Sequence, residues 1–268
     1  MDKIIGFIGS GNMCTAMIGG ILNSNLIQKE QIICADPSCD KLKMMAEKYG
    51  VLTTENNQEA ASKADILVLS VKPQFYEVVI KEIRPVVKKD VIIVTIAAGQ
   101  KIEKIKYLFG AEIKVVRVMP NTPALVGEGM SAICPCPMIS PEEEDLICNI
   151  FNSFGKCEII PENLMDVVTG VSGSSPAYIF ILIEAMADVA VAEGMPRDKA
   201  YKFAAQTVFG SAKMVLETNK HPGELKDMVC SPGGTTIEGV LKLEETGFRT
   251  SIQEAVKAAI KKSMDMGK

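Results

Sequence analysis

The stretch IIGFIGSGNMC, residues 4–14, decides the fold of the first half of the chain. An apolar strand pattern precedes its glycines and a helical pattern follows them. Gly9, Gly11 and Cys14 occupy the three positions of the G-x-G-x-x-G/A fingerprint, with Cys14 where Gly or Ala is usual. Gly9 allows a tight turn, and Gly11 lets the backbone approach a pyrophosphate, which the free N–H groups of the helix start would bind. The stretch predicts a dinucleotide site; a glycine-lined turn without a ligand is the alternative.

Short apolar runs alternate with helical patterns over the first part of the chain. Runs without polar alternation, such as DILVLSV (Asp65–Val71) and VIIVTI (Val91–Ile96), are typical of strands buried on both faces. Strands that alternate with helices form a parallel sheet, and right-handed crossovers make it doubly wound. We therefore predict an α/β fold with a Rossmann-type, mostly parallel sheet. The strands are predicted at residues 4–8, 31–35, 65–71, 91–96, 114–119, 130–134 and 156–160.

The pattern changes after about Glu162, where no further strand is convincing. Helices are predicted at residues 176–193, 197–218, 235–245 and 251–264, the first with Ser175 as its N-cap and Pro176 at its first position. The sequence thus predicts a dinucleotide-binding domain over residues 1–162 and an all-helical domain over residues 163–268.

The helical domain is unusually apolar for its size. Its stretch AYIFILIEAMADVAVA, residues 177–192, is shorter than the roughly 20 residues of a membrane-spanning helix and carries Glu184 and Asp188, so we interpret it as a buried core helix. Such helices have more apolar surface than a monomer easily buries, which favours a homodimer. Packing on the α/β domain alone is the alternative.

Composition excludes several classes of function. Among 268 residues, 47% are apolar and the formal net charge is −4, without the basic cluster that nucleic acid or an anionic membrane requires. The eight cysteines form no CxxC pair and there is one histidine, which favours reduced thiols in a cytoplasmic protein without a metal site. Residues 1–3 lead directly into the first strand, so no signal peptide is predicted.

Several predicted strand ends carry residues suited to a ligand, because ligands of doubly wound sheets bind outside the carboxyl ends of the strands. Asp36 follows the second strand, where an acid binds ribose hydroxyls and favours NAD, although a plain turn residue is almost as plausible there. Asn57 is expected nearby. Small or kinked segments follow at Ser70–Pro73 and Ala97–Gly99, and Asn121 could reach nicotinamide or substrate.

The helical domain contains two loops rich in serine and glycine. In the second, SPGGTT (Ser231–Thr236), Thr235 and Glu238 have the spacing of a capping box. A cap does not account for the two glycines and Thr236, so we favour a carboxylate site at the N–H groups of the helix start. The sequence offers no convincing hydrolytic or metal-binding group, whereas hydride transfer to a protonated C=N bond needs little from protein acids.

Over essentially its whole length the chain resembles pyrroline-5-carboxylate reductase. The motifs that carry this resemblance are IGFIGSGNM (5–13), VKP (71–73), IAAG (96–99), MPNTPALV (119–126), GVSGSSPAY (170–178), EAMADVAV (184–191), YKFAAQ (201–206), AKMVLET (212–218) and HPGELKDMVCSPGGTTIEG (221–239). The resemblance implies a helical dimerisation domain, dimers or rings of dimers, and reduction of the cyclic imine to proline with NADPH or NADH.

The resemblance also implies roles for individual residues. Together with the strand-end residues, it predicts a cofactor site of Ile8, Gly9, Ser10, Gly11, Asn12, Met13, Asp36, Asn57, Ser70, Val71, Lys72, Pro73, Ile96, Ala97, Ala98 and Asn121. It predicts a substrate site of Glu162, Ser175, Gly234, Thr235 and Thr236. The Thr236 hydroxyl would face the ring nitrogen and orient the imine or supply its proton.

Two rival functions make different predictions. A β-hydroxyacid dehydrogenase would carry a catalytic lysine on the first helix after the dinucleotide domain, but residues 176–193 contain none. A regulatory nucleotide-sensing domain without turnover would need no second anion site, so the SPGGTT loop counts against it.

Overall fold

The computed structural model describes residues 3–267. Contacts within the chain divide it into two compact units. The first runs to Ser174 and also includes the residues from Ala258 onward, and the second comprises Ser175–Lys257. This division falls later in the chain than residue 162, and it assigns the end of the last helix to the first unit.

The first unit is built on an eight-stranded sheet, with strand order β3-β2-β1-β4-β5-β6-β7-β8. The strands are β1 (Ile5–Ile8), β2 (Ile32–Ala35), β3 (Leu52–Thr54), β4 (Ile66–Leu69), β5 (Ile92–Thr95), β6 (Lys114–Met119), β7 (Gly129–Pro135) and β8 (Gly155–Ile159). All neighbouring strands pair in parallel except β6 and β7, which are antiparallel. The predicted mostly parallel, doubly wound sheet is confirmed.

Helices of the first unit connect these strands. They are α1 (Asn12–Asn23), α2 (Cys39–Tyr49), α3 (Asn57–Lys63), α4 (Tyr76–Ile83), α5 (Ile102–Phe109), α6 (Pro141–Asn152) and α7 (Met165–Val168). A π-helical turn at Thr169–Gly173 follows α7. The sequence did not predict β3 or α3. The strand β3 was missed because Leu52–Thr54 is only three residues long and partly exposed at the sheet edge.

Both faces of the sheet are buried, as its apolar strands predict. On β4, Ile66 and Val68 belong to one core cluster, whereas Leu67 and Leu69 belong to the other. Successive side chains of a strand point to opposite faces, so a strand covered on both sides needs apolar residues at every position. This packing fixes the carboxyl ends of the central strands, where the predicted site lies.

The second unit is helical. It contains α8 (Ser175–Ala192), α9 (Arg197–Thr218), α10 (Pro222–Val229), α11 (Thr235–Glu245) and the first part of α12 (Phe248–Met266). α8 and α9 pack against each other. Helix α10 was not predicted; His221, in the short connection before it, is its N-cap, with Nδ1 accepting the Gly223 N–H at 3.0 Å.

Helix α8 is not the buried core helix that its composition predicts. Among its described residues Ala187 alone is buried, while Phe180 is 62% and Ile181 65% exposed. One helical stretch, residues 162–192, is long and apolar enough to span a membrane by length and composition. Within a single chain this apolar surface lacks cover, which agrees with the predicted association of helical domains.

Candidate active site

The turn after β1 has the geometry that its glycines predict. Gly9 has φ +98°, in the region that favours glycine, and its N–H donates to the Ala35 carbonyl at 2.7 Å. A Cβ at Gly9 would lie 2.9 Å from the Ser70 carbonyl oxygen. Because that oxygen belongs to the backbone, it has little room to move, and a side chain here would distort the turn. The chain therefore needs glycine at position 9.

Gly11 has a different function from Gly9. It is the N-cap of α1 and makes no side-chain cap, so the first N–H groups of the helix lack that partner. A Cβ on Gly11 would have no described atom within 4 Å. Open space beside uncapped N–H groups at the positive end of a helix is the arrangement that binds a phosphate.

Ser10 ties this turn to the end of β2. Its N–H donates to Oδ2 of Asp36 at 2.8 Å. Its hydroxyl oxygen is buried and has no hydrogen bond within 3.5 Å among residues 3–267, but it lies near enough to Asp36 to help lower the pKa of that carboxyl. Ser10 therefore supports the Asp36 carboxylate with both its N–H and its hydroxyl.

Asp36 is buried and ionised. It is 5% exposed, and Oδ1 accepts the Ser38 N–H at 3.0 Å while Lys41 Nζ lies 3.5 Å from Oδ2. Burial raises the pKa of this carboxyl, but the hydrogen bonds from the N–H groups of Ser10 and Ser38 outweigh it, and the net pKa lies below its ordinary value. Asp36 is therefore a fixed negative charge at the end of β2.

Two cavities adjoin along the carboxyl ends of the strands. One, of about 420 Å³, is lined by Gly9, Gly11, Asp36, Asn57, Ser70, Val71 and Lys72 among others. The other, of about 300 Å³, is lined by Met13, Ser70, Val71, Lys72, Pro73, Ile96, Ala97 and Asn121 among others. The shared residues Ser70–Lys72 make the cavities neighbours, so most of the predicted cofactor residues line these two adjoining cavities. Of the predicted set, Ile8, Ser10, Asn12 and Ala98 do not line these cavities.

Two of the predicted site residues support neighbouring backbone. The Ser70 hydroxyl lies 2.6 Å from the Gly9 carbonyl oxygen and braces the glycine turn. Asn121 Nδ2 donates to Ser172 Oγ at 3.1 Å, and its Oδ1 accepts the Met130 N–H at 2.9 Å. The Asn121 amide thus connects the end of β6 to the π-helical turn that follows α7.

Glu162 belongs to a buried ion cluster that the sequence did not reveal. Its Oε1 accepts the Ile102 N–H at 2.8 Å and lies 3.3 Å from Arg117 Nη1. Arg117 Nη2 lies 3.4 Å from Asp166 Oδ1, which also accepts the Ser263 hydroxyl at 2.7 Å. The one available signal was a lone arginine inside KVVRVM, because an unpaired charge in a buried strand is rare.

In the second unit, the SPGGTT loop opens onto the start of α11. Gly233 has φ +64°, and the Gly234 N–H donates to the Ser231 carbonyl at 3.0 Å. The predicted capping box is wrong: Gly234 is the N-cap and Thr235 the first helical residue, without a side-chain cap among the described residues. The helix therefore begins one residue earlier than the T-x-x-E spacing suggests. The first N–H groups of α11 therefore lack a side-chain partner, as those of α1 do.

Comparisons with known proteins identify the family of the chain. The family model for pyrroline-5-carboxylate reductase dimerisation matches residues 162–266, and the model for coenzyme F420-dependent NADP oxidoreductase matches residues 4–99. Pyrroline-5-carboxylate reductase of Escherichia coli is 50% identical over 268 residues, covering all of both chains. The enzyme of Methanosarcina acetivorans is 44% identical, covering 100% of this chain and 99% of its own.

Solved structures show the same relationship. Pyrroline carboxylate reductase of Plasmodium falciparum, with NADP bound, matches with a TM-score of 0.91 and 35% identity, covering 100% of this chain and 99% of that one. The Coxiella burnetii enzyme matches with a TM-score of 0.91 and 31% identity over 100% of both chains. The chain belongs to the pyrroline-5-carboxylate reductase family.

Proposed function

We propose that this protein reduces Δ1-pyrroline-5-carboxylate to L-proline with NADPH or NADH, the last step of proline biosynthesis. The observation that carries the proposal is a pair of helix starts, α1 and α11, each preceded by a glycine turn and each without a side-chain cap. A dinucleotide pyrophosphate and a small carboxylate are the two anions that the reaction brings together. Full-length identity of 50% to the Escherichia coli enzyme supports the same conclusion.

The residues of the first unit fit a dinucleotide. The open space beside Gly11 and the uncapped start of α1 suit the pyrophosphate, and the two adjoining cavities suit the rest of the molecule. When bound, the reduced nicotinamide supplies the hydride. The residues proposed to hold the cofactor are Ile8, Gly9, Ser10, Gly11, Asn12, Met13, Asp36, Asn57, Ser70, Val71, Lys72, Pro73, Ile96, Ala97, Ala98 and Asn121.

The second unit supplies the proposed carboxylate site. Gly234, Thr235 and Thr236 are the proposed carboxylate site, in which the N–H groups of Thr235 and Thr236 bind the carboxylate while the Gly234 N–H already donates to the Ser231 carbonyl. The Thr236 hydroxyl orients the imine nitrogen or supplies its proton. Ser175 and Glu162 are proposed to contribute. Since Oε1 of Glu162 is already occupied by Ile102 and Arg117, a substrate contact would use its other oxygen.

We further propose that the protein self-associates as a dimer or a ring of dimers in the cytoplasm, without nucleic acid or membrane as partner. The exposed apolar face of α8 supports this, because the family model that covers it describes dimerisation. Residues 1–162 and 163–268 are the proposed functional domains.

Turnover of pyrroline-5-carboxylate, followed by the loss of reduced-nicotinamide absorbance, tests the proposal. Thr236→Ala should lower kcat/KM by the equivalent of about 1–3 kcal/mol of transition-state stabilisation, because one hydrogen bond is lost. Dinucleotide binding should be unchanged. Thr246→Ala, at the other end of α11, is the matched control, because its hydroxyl donates to the Lys242 carbonyl within the helix. An unaltered rate in Thr236→Ala would remove this hydroxyl from the mechanism, and no turnover by the wild type would refute the proposed reaction.

A further inference from the structure

We infer that Asp36 makes this enzyme select NADH over NADPH, an inference that rests on the proposed function. Asp36 follows the carboxyl end of β2 and lines the 420 Å³ cavity together with Gly9 and Gly11. In a doubly wound fold, a pyrophosphate held at the turn after β1 places the adenosine ribose near the end of β2. Residue 36 therefore lies next to the 2′ position of the ribose, which is where NADPH carries its extra phosphate.

The Asp36 carboxylate cannot turn away from this position. Its oxygens accept the N–H groups of Ser10 and Ser38 at 2.8 and 3.0 Å, and its side chain is almost fully buried. The first of these bonds attaches it to the glycine turn itself. A carboxylate has about four lone-pair positions, and the contacts with Ser10, Ser38 and Lys41 leave at least one for a ribose hydroxyl. Asp36 is thus placed to accept from the 2′-hydroxyl of NADH.

The same carboxylate opposes a 2′-phosphate. Its hydrogen bonds keep it ionised at neutral pH, and a phosphate monoester carries about −1.5 to −2 charges there. Two like charges in contact in a partly buried cavity disfavour binding strongly. Lys41 is the cation next to Asp36, but its charge is paired with the carboxylate and its side chain is half-exposed. Lys41 also lines the cavity, so a bond that it gave to a phosphate would come from the same ammonium that offsets the Asp36 charge.

A purely structural role for Asp36, as an acceptor for the Ser10 N–H, makes a different prediction. Asp36→Asn keeps one oxygen that can accept this N–H, but removes the negative charge. If Asp36 only supports the turn, the substitution affects NADH and NADPH equally. If its charge selects the cofactor, the substitution changes their ratio.

Dissociation constants for NADH and for NADPH, measured by nicotinamide fluorescence on the full-length protein without substrate, test the inference. We expect the wild type to bind NADH tighter by on the order of tenfold or more. Asp36→Asn should reduce this ratio by roughly tenfold, mainly through tighter NADPH binding. Asp40→Asn, which makes the same charge change on the exposed face of α2 outside the cavity lining, should leave the ratio unchanged.

The outcomes separate the inference from the function on which it rests. Wild-type protein that binds NADPH as tightly as NADH, or an Asp36→Asn variant with an unaltered ratio, would overturn the role of Asp36 while leaving the reductase proposal intact. Wild-type protein that binds neither dinucleotide would refute the proposed function itself. If Asp36→Asn does not fold, the wild-type ratio still decides, because it needs no variant.

Discussion

Replacing Arg117 with Met tests whether the buried ion cluster holds the first unit together. Arg117 lies on β6 with 4% of its side chain exposed, between Glu162 at 3.3 Å and Asp166 at 3.4 Å. Through them it links β6 to the start of α5, by the Ile102 N–H, and to α12, by the Ser263 hydroxyl. Met has a similar length without charge, so the substitution removes the cation and keeps most of the packing.

The size of the expected stability loss depends on how exposed the Glu162 and Asp166 side chains are. Removing one partner of a fully buried ion pair costs roughly 3–5 kcal/mol, because the remaining charge has no compensation. The Glu162 and Asp166 side chains are 32% and 16% exposed, so water screens part of the stranded charge. We therefore expect about 3 kcal/mol at the low end of this range. At about 2–4 °C per kcal/mol for a chain of this size, Tm should fall by roughly 6–12 °C.

Thermal unfolding followed by circular dichroism, at one fixed protein concentration because association shifts Tm, measures the effect. Lys81→Met is the matched control. Its ion pair with Glu77 is shorter, at 2.7 Å, but the side chains are 59% and 63% exposed, so the loss of stability should be far smaller than in Arg117→Met. Adding Glu162→Gln and Asp166→Asn to Arg117→Met should restore part of the stability. A loss below ~1 kcal/mol in Arg117→Met, or no recovery in the triple variant, would refute this explanation.

Three further substitutions test other parts of the structure. Gly11→Val should abolish the rise in Tm that NADH or NADPH gives while costing the free protein no more than about 1 kcal/mol, since its Cβ meets no described atom; a normal ligand-induced rise would place the pyrophosphate elsewhere. Tyr76→Phe should cost about 1–3 kcal/mol in chemical denaturation, because its buried hydroxyl lies 2.9 Å from Thr95 Oγ1, and an unchanged midpoint would contradict this. In the folded protein, burial raises the pKa of Glu143, but Lys114 and the Ser140 N–H lower it by more, so the net pKa lies below 4.5. The stabilisation that Glu143 gives is therefore present above about pH 4.5 and is lost as the pH falls through the pKa of the folded state. The Tm of Glu143→Gln should therefore fall less than that of wild type between neutral pH and pH ~3.5, and parallel curves would count against the ion pair.

The architecture of the first unit could be predicted because its strands are buried on both faces. A run such as Ile66–Leu69 has no polar position, and helical patterns separate such runs, so a covered parallel sheet was the one economical arrangement. The edge strand Leu52–Thr54 carries no such signal, because it is short and partly exposed. The apolar composition of α8 led to two predictions, a buried core helix and association between copies, and its exposed Phe180 and Ile181 agree with the second and not with the first.

The glycine turn was predictable for a related reason: its chemistry lies within a few consecutive residues. Gly9 needs a positive φ and Gly11 needs open space, and both requirements can be stated from one βα junction. The start of α11 was predicted less well. The T-x-x-E spacing placed the cap at Thr235, whereas the left-handed Gly233 moves it to Gly234. That shift leaves the helix start open, and it strengthens the case for an anion site.

The residues that position the site were beyond sequence reasoning, because each works through partners distant in the chain. Asn121 contacts Ser172, and Arg117 contacts Asp166, across about fifty intervening residues, and the tertiary fold alone brings these pairs together. A motif shows that an asparagine or an aspartate stands at a strand end, but not which of its atoms are already bound. Asp36 illustrates this limit. From its position in the sequence, a turn residue and a residue that binds the ribose were almost equally plausible. Its buried, twice hydrogen-bonded and ionised carboxylate favours a fixed charge at the adenosine end of the cavity.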